Sequence, residues 1–453
     1  MDVDKNSRGS LPRIPILLFI MAYFYHLSVI WVSAVDVPWM DEWEAISGYR
    51  QFNLASEEWW RYLFFHHLET RMLFTNLQTK LLHLINGWDN RFHVLIPYLV
   101  WGMILGTFYK LFRKNCETKH FWPFFLGMFC LLSPRFWEAH AWGQQSHNHY
   151  SILFLIWGVL GLLDRESSLV KFLCSTLFLG FSIFSFSRGV ASTLVFVPLA
   201  GLFYFLRYRE LANPKFIWRG GIVVLFISIC YLVNFGVFLL EPLPRPHAGL
   251  TMPWTIEFWD YYLNLTALIF GYKPLNALVG AVSIALCVGP IYVLISEKKF
   301  DLSKISDHQW QLLSLIIVWL GTLGAVAMGR ASFPVETSKL SRYAFASGLI
   351  LPVVMILYLQ SSNWRKVKVV SFILALWVVG NYQQSWPQTP YQTLSQSKED
   401  GLACLQKFLK EGKGGEILCK QLYPWNIRNQ VEIAKKLNLS FTRLKETTDP
   451  REL

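Results

Sequence analysis

Charge is scarce in this sequence. Only 16% of its 453 residues are Asp, Glu, Lys or Arg, against 53% that are hydrophobic, where a soluble domain carries about 25% charge. That shortage excludes one large soluble core, and apolar runs of roughly 20 residues, the length that crosses a bilayer, recur along the whole chain. Cysteine is sparse as well. Of seven, Cys116, Cys130, Cys174, Cys230 and Cys287 lie in or beside apolar runs without the spacing of metal ligands, which assigns them to packing. No small-x-small cleavage site follows the first apolar run, Ile14 to Val35, and the run is longer than a signal peptide's apolar region. Behind Lys5, Arg8 and Arg13 it reads as a retained membrane helix. Arg/Lys-rich stretches interleaved with aromatics do not occur outside the loops, so the net charge of +12 does not point to nucleic acid.

What is present is a repeating pattern of long apolar segments, and it makes the fold class an all-α polytopic membrane protein. Helices are expected at about 14–35, 92–112, 120–134, 149–163, 168–186, 190–206, 217–239, 274–295, 309–328, 344–360 and 367–382, a bundle of about 11 transmembrane helices. With the N-terminus cytoplasmic, the inner connections contain "KLFRKNCETK", "DRESSLVK", "RYRELANPKFIWR", "SEKKFDLSK" and "SSNWRKVK". They hold more Lys and Arg than the outer connections, although the outer ones are longer in total, as the positive-inside rule requires. The C-terminus is then extracytoplasmic. Residues 1–382 form the membrane domain and 383–453 a small extracytoplasmic segment.

Within the outer loop 36–91, "EEWWRYLFFHHLETRMLFTNLQTKLLHLING" alternates aromatic and aliphatic residues at helical spacing with charges on another face. It predicts one or two amphipathic helices lying in the interface, with Trp59 and Trp60 as headgroup-level anchors. In the tail, two helical patterns flank a turn at Gly412, Gly414 and Gly415. Cys404 and Cys419 stand on the oxidising side of this topology, where a disulfide can form.

The chemistry concentrates at the start of the outer loop. In "DVPWMDEWEAIS", Asp36, Asp41, Glu42 and Glu44 follow directly on a membrane helix. Partly desolvated carboxylates beside lipid headgroups suit a general base that activates a hydroxyl or amine. A bland reading makes them the cap and first turn of a helix, but Trp39 and Trp43 interleaved with acids look like a wall that contacts sugar or lipid.

The order of features, one helix, a long outer loop opening with an Asp-Glu pair, amphipathic helices and then many more helices, resembles the GT-C superfamily of polyprenyl-phosphate-sugar-dependent glycosyltransferases. That superfamily includes protein O-mannosyltransferases and the aminoarabinose transferase of lipid A. The matching pieces are "WMDEWE", "HHLETRMLF", "FSRGVASTLVFVP", "GRASFPVETSKLSRYAFAS" and "CKQLYPWNIRNQVEIAKKLNLSFTR". Together they cover nearly the full length, and each is short. The resemblance implies a GT-C-like bundle and an inverting transfer, with Asp41 or Glu42 as the base. It also allows Mg²⁺ or Mn²⁺ at an acidic group, without fixing one. "HHLETR" departs from the relatives' Asn-Glu-His-Arg pattern, which leaves open whether His67, Glu69 and Arg71 bind substrate or whether Glu69 and Arg71 are a surface pair.

A donor of this kind needs a cation for its phosphate, and Arg suits bidentate contact. Arg135, Arg188, Arg330 and Arg342 stand at outer helix ends against the positive-inside trend. Arg342, followed by Tyr343 where a helix re-enters the membrane, is the favoured clamp and Arg188 the second choice. Snorkelling to lipid phosphate is the ordinary alternative. In "SPRFWEAHAWGQQSHNHY", Glu138, His140, His147 and His149 do not follow a zinc pattern. Trp142, Gln144, Gln145 and Asn148 read as a polar wall for a sugar.

The expected function is therefore an integral-membrane glycosyltransferase of a bacterial inner membrane, moving a sugar from a polyprenyl-phosphate carrier to a lipid, envelope glycan or protein acceptor. A transporter or flippase of polyprenol-linked glycans is the alternative. It would bury charges halfway along its helices.

Overall fold

The computed structural model describes residues 13–51, 63–64, 66–67, 70–116, 120–240, 249–268, 277–361, 390–411 and 415–443. Helix dominates. Among the described residues, seven helical stretches are long and apolar enough to cross a membrane, over residues 14–32, 90–115, 187–211, 215–235, 277–297, 307–330 and 341–360, which makes the chain a multi-pass helical membrane protein.

In chain order the helices are α1 (Arg13–Val32), α2 (Glu42–Gln51), α3 (Leu73–Asn86), α4 (Asn90–Asn115), α5 (Phe121–Cys130), α6 (Trp137–Ala141), α7 (Ser146–Leu162), α8 (Leu169–Ser185), α9 (Ser187–Leu211), α10 (Lys215–Leu240), α11 (Ile256–Ala267), α12 (Ala277–Glu297), α13 (Asp307–Arg330), α14 (Ser341–Gly348), α15 (Ile350–Ser361), α16 (Pro390–Glu411) and α17 (Arg428–Lys436). Ten of the expected membrane segments coincide with helices. The one at 367–382 lies outside the described residues, as do Trp59, Trp60 and Glu69. α5 stops short of its expected end because Leu131 to Ser133 turn the chain and Pro134 opens a 3-10 turn. The segment expected at 344–360 starts earlier and is divided into α14 and α15 at Leu349.

Burial grades the helices from periphery to centre. Of the apolar stretch of α1 17% is buried, against 83% for α14 and α15 together. Leu17, Met21, Phe24, Leu225 and Leu232 are exposed, as side chains facing hydrocarbon would be.

The contacts of charged groups gather at two ends of the bundle. At one, Arg207 Nη2 donates to Ile305 O at 2.6 Å and pairs with Asp307 at 3.0 Å. Lys171 pairs with Asp164 at 2.5 Å, and Gln360 Nε2 reaches Asn115 Oδ1 at 3.1 Å. These basic groups belong to the connections expected to be cytoplasmic. The other end gathers the acidic motif, the 131–146 connection, the start of α9, the 331–340 connection and the C-terminal module.

The stretch expected to form one or two amphipathic helices contains a short hairpin. His66–His67 (β1) pairs antiparallel with Thr70–Arg71 (β2), His66 opposite Arg71, and only α3 is helical beyond it. Arg71 is buried and donates to Phe64 O across this hairpin, a closure that sequence periodicity does not reveal. α3 is amphipathic as expected, with its polar face inward: Thr75, Asn76, Gln78 and Thr79 are buried while Leu84 is 67% and Ile85 77% exposed. A helix lying against lipid buries its polar side in protein.

The tail forms an ordered module stapled by the Cys404–Cys419 disulfide, with Cα atoms 5.9 Å apart. Leu405, Leu422, Ile427, Val431 and Ala434 of this module build a second core with Val37, Trp43 and Ile46 of the acidic loop. The acidic loop and the described part of the tail are thus packed into one unit.

Candidate functional site

The site is built from the acidic loop outward. α1 ends at Val32, and the chain turns so that Val37, Trp39 and Trp43 are buried. Trp39 lies edge-on to Trp142 with centroids 5.2 Å apart, and Trp43 edge-on to Phe441 at 5.5 Å. Both indoles are buried against the protein's own aromatic rings, a correction to the wall contacting sugar or lipid expected of them. Loops buried against other elements need apolar anchors, and Trp supplies the largest.

The four acids separate by role. The Asp36 carboxylate accepts from Asn90 N at 2.9 Å and Ser440 Oγ at 3.0 Å. Burial nonetheless raises its pKa, and the Asp89 carboxylate adds to this. Tyr423 OH donates to Glu44 Oε1 at 2.7 Å. Glu42 is 0% exposed. Its Oε2 accepts from Trp39 N at 2.8 Å and Asn90 Nδ2 at 3.2 Å, and its Oε1 from Gln144 N at 3.1 Å, with His93 Nδ1 at 3.4 Å. Burial pushes the Glu42 pKa up, but these donors and the Lys398 ammonium outweigh it and leave the group below its ordinary value. A carboxylate offers about four lone-pair directions, and three of them accept hydrogen bonds from the protein here. Asp41, the residue immediately before α2, is half-buried.

Gly143 is what lets these groups meet. A Cβ there would lie 2.3 Å from His93 Nδ1 and 2.9 Å from Glu42 Oε1, so no side chain fits. Gly143→Ala is expected to cost about 1–3 kcal/mol as an overpacked core does, read as a lower melting temperature of the purified protein in detergent. An unchanged melt would show that the network has slack.

Residues 133–149 link the acids to the arginines. Ser133 Oγ caps the 3-10 turn at Arg135 N, 3.4 Å away. Arg135 is buried with its guanidinium 4.6 Å from the Phe136 ring, and burial lowers its pKa to about 10, so it stays charged at neutral pH. Glu138 Oε2 accepts from Arg342 N at 2.8 Å, while Gln144, six positions on, holds Glu42. His140 and His149 are buried with Nδ1 and Nε2 3.4 Å apart, and burial, His149 and His26 hold the His140 pKa well below its usual value. Among the described residues, no group of three or more His, Cys, Asp and Glu could hold a metal ion.

Of the four arginines expected at outer helix ends, Arg188 and Arg135 are equally buried, and Arg188 stands in the first turn of α9. It is 6% exposed, and its Nε and Nη1 find no hydrogen-bond partner among the described residues. Its guanidinium lies 5.8 Å from the Phe186 ring, whose centroid is 4.1 Å from that of His147. Arg342 and Arg330 are half-buried, 5.7 Å from the rings of Tyr343 and Phe333 respectively. Glu42, Gln144, Glu138, Arg342, His147 and Arg188 are therefore joined through one continuous segment. His67 and Arg71 belong to the hairpin, beside α8.

Three participants had no place in the sequence reading: Asn90, His93 and Lys398. Asn90 and His93 stand three apart in the first turn of an otherwise apolar helix, a signal that was available. Lys398, 2% exposed on α16, looks like any lysine in a polar tail. Its ammonium donates to Ala141 O at 3.4 Å and lies 5.9 Å from the Trp39 ring. Burial lowers its pKa, with Glu42 opposing. No protein-family model, curated protein or solved structure matches this chain.

Proposed function

We propose that this protein is an integral-membrane glycosyltransferase of the GT-C type. It takes a sugar from a polyprenyl-phosphate carrier on the extracytoplasmic face of a bacterial inner membrane and delivers it to a lipid, envelope glycan or protein. The N-terminus and the arginine-paired end are cytoplasmic under the positive-inside rule, eleven helices cross, and the acidic end with the C-terminal module lies outside.

The observation that carries this reading is Arg188: a buried guanidinium with unfilled donors, at the same end of the bundle as a cluster of carboxylates. Leaving buried donors unfilled is costly, and an anionic ligand fills them. In the reaction, Asp41 takes the proton of the acceptor hydroxyl or amine, and the freed lone pair attacks the anomeric carbon. The bond from that carbon to the phosphate oxygen breaks, and the phosphate leaves with the electron pair, held by Arg188 and flanked by Arg342. Glu42, fully buried and accepting from Trp39, Asn90 and Gln144, fixes the loop that presents Asp41. Tyr343, Arg330, Gln144 and His147 line the approach. A divalent cation, Mg²⁺ or Mn²⁺, remains compatible with the half-buried Asp41.

A flippase or transporter would place charge midway through its helices. Among the described spans the charged residues, such as Arg188 and Arg330, stand in terminal turns, which favours an enzyme. The test is transfer of labelled sugar in membranes supplied with a panel of polyprenyl-phosphate sugars, alongside identification of lipid-linked sugars that accumulate when the protein is absent. Arg188→Ala is expected to raise the donor KM about 10- to 100-fold, as loss of charge-assisted hydrogen bonds of about 1.5–3 kcal/mol predicts. A donor KM unchanged in that variant removes Arg188 from the phosphate.

A further inference from the structure

The residue before Asp41 is held in an uncommon conformation. Met40 has a φ of 51°, in the left-handed region that side chains other than Gly, Asn and Asp seldom occupy. Such strain persists only where surrounding contacts over-determine it, at about 1–3 kcal/mol. The contact that does so comes from the far end of the chain: Met40 N donates to Leu422 O at 2.8 Å. Leu422 sits in a turn whose own amide, with that of Tyr423, donates to Cys419 O at 2.9 and 3.1 Å. Cys419 is the disulfide partner of Cys404 on α16, the helix that also inserts Lys398. Tyr423, next to Leu422, holds Glu44.

We propose that the C-terminal module positions the catalytic loop: the Cys404–Cys419 disulfide fixes the 419–423 turn, the turn imposes the left-handed Met40, and Met40 sets the direction of Asp41. Leu422, Tyr423 and the two cysteines are positioning residues, and an oxidising compartment is a condition for an assembled site. The catalytic part of this statement rests on the transferase reading above. The mechanical part does not, because it concerns only what holds Met40.

Hydrogen exchange on the purified full-length protein in detergent separates the two. Breaking the disulfide, by reduction or as Cys404→Ser, is expected to speed exchange of the peptide 36–47 on the order of tenfold or more as the strained turn relaxes. Exchange through 307–361 should stay as it was. Met40→Gly accommodates the left-handed φ without penalty, so combining it with Cys404→Ser should restore most of the lost protection, a rescue that a merely packed module would not show. Tyr423→Phe, which keeps the disulfide, should produce a smaller acceleration at the same peptide. Unchanged protection of 36–47 after mass spectrometry confirms the broken bond overturns the proposal, and so does an equal loss of protection throughout 307–361. If the exchange result holds and the wild-type protein transfers sugar from none of the polyprenyl-phosphate donors supplied, the positioning stands and the transferase reading falls.

Discussion

Asp41→Asn is expected to lower sugar transfer about 10²- to 10⁴-fold, the range that a positioned general base contributes, without changing membrane insertion, yield or melting temperature. The substitution keeps the shape and removes the charge. Asp41 is half-buried and directly precedes Glu42, whose carboxylate is committed to Trp39, Asn90 and Gln144. Loss of activity at constant stability is therefore the signature of Asp41, and loss of both together is the signature of Glu42. Initial rates in membranes with a polyprenyl-phosphate sugar, measured beside thermal melts of the same preparations, distinguish them. A wild-type rate in Asp41→Asn would rule this carboxylate out as the base.

Much of the architecture was legible because it rests on one strong local signal. Runs of apolar residues long enough for a bilayer place α1, α4, α9, α10, α12 and α13 within a few residues of their observed bounds. The sequence left the pairing of Cys404 and Cys419 open, and the fold that brings their Cα atoms to 5.9 Å closes it. What sequence could not supply is contact between distant segments. The motif of four acids reads as one cluster, yet Asp36 is tied to Ser440, Glu44 to Tyr423 and Glu42 to Trp39, Asn90 and Gln144, so only the fold gives each acid its separate partners. Trp39 and Trp43 suggested a ligand wall because their partners, Trp142 and Phe441, are remote in the chain. Arg342 drew attention through its neighbour Tyr343 and its helix end, whereas Arg188 and Arg135 are the buried ones of the four, and burial is a tertiary property. The β1–β2 hairpin stayed hidden for the same reason: aromatic spacing around it imitates a helix, while Arg71 reaching the Phe64 carbonyl is a contact that no periodicity encodes.

Glu42→Ala carries the largest expected effect on stability. It removes a fully buried carboxylate and leaves the amides of Trp39 and Gln144 and the Asn90 side chain without their acceptor, with the Lys398 ammonium buried nearby. Breaking one side of a buried charged network costs about 3–5 kcal/mol, and the melting temperature should fall by roughly 10 °C. The effect has a definite pH window. The pKa of Glu42 in the fold is held below its ordinary 4.5, so its ionised form stabilises fully above that value, and the contribution is lost as pH falls through the depressed folded value. The difference in melting temperature between wild type and Glu42→Ala should therefore be constant from neutral pH down to about 4.5 and shrink in more acidic solution. Asp36, whose pKa burial raises, acts with the opposite sign: its ionised form is disfavoured in the fold, so protonation at falling pH relieves the cost rather than adding to it. Thermal melts of the purified protein across this range measure both. A gap between wild type and Glu42→Ala that persists undiminished well below the ordinary carboxylate range would mean that the charge of Glu42 contributes nothing and that its shape alone holds Trp39, Asn90 and Gln144 in place.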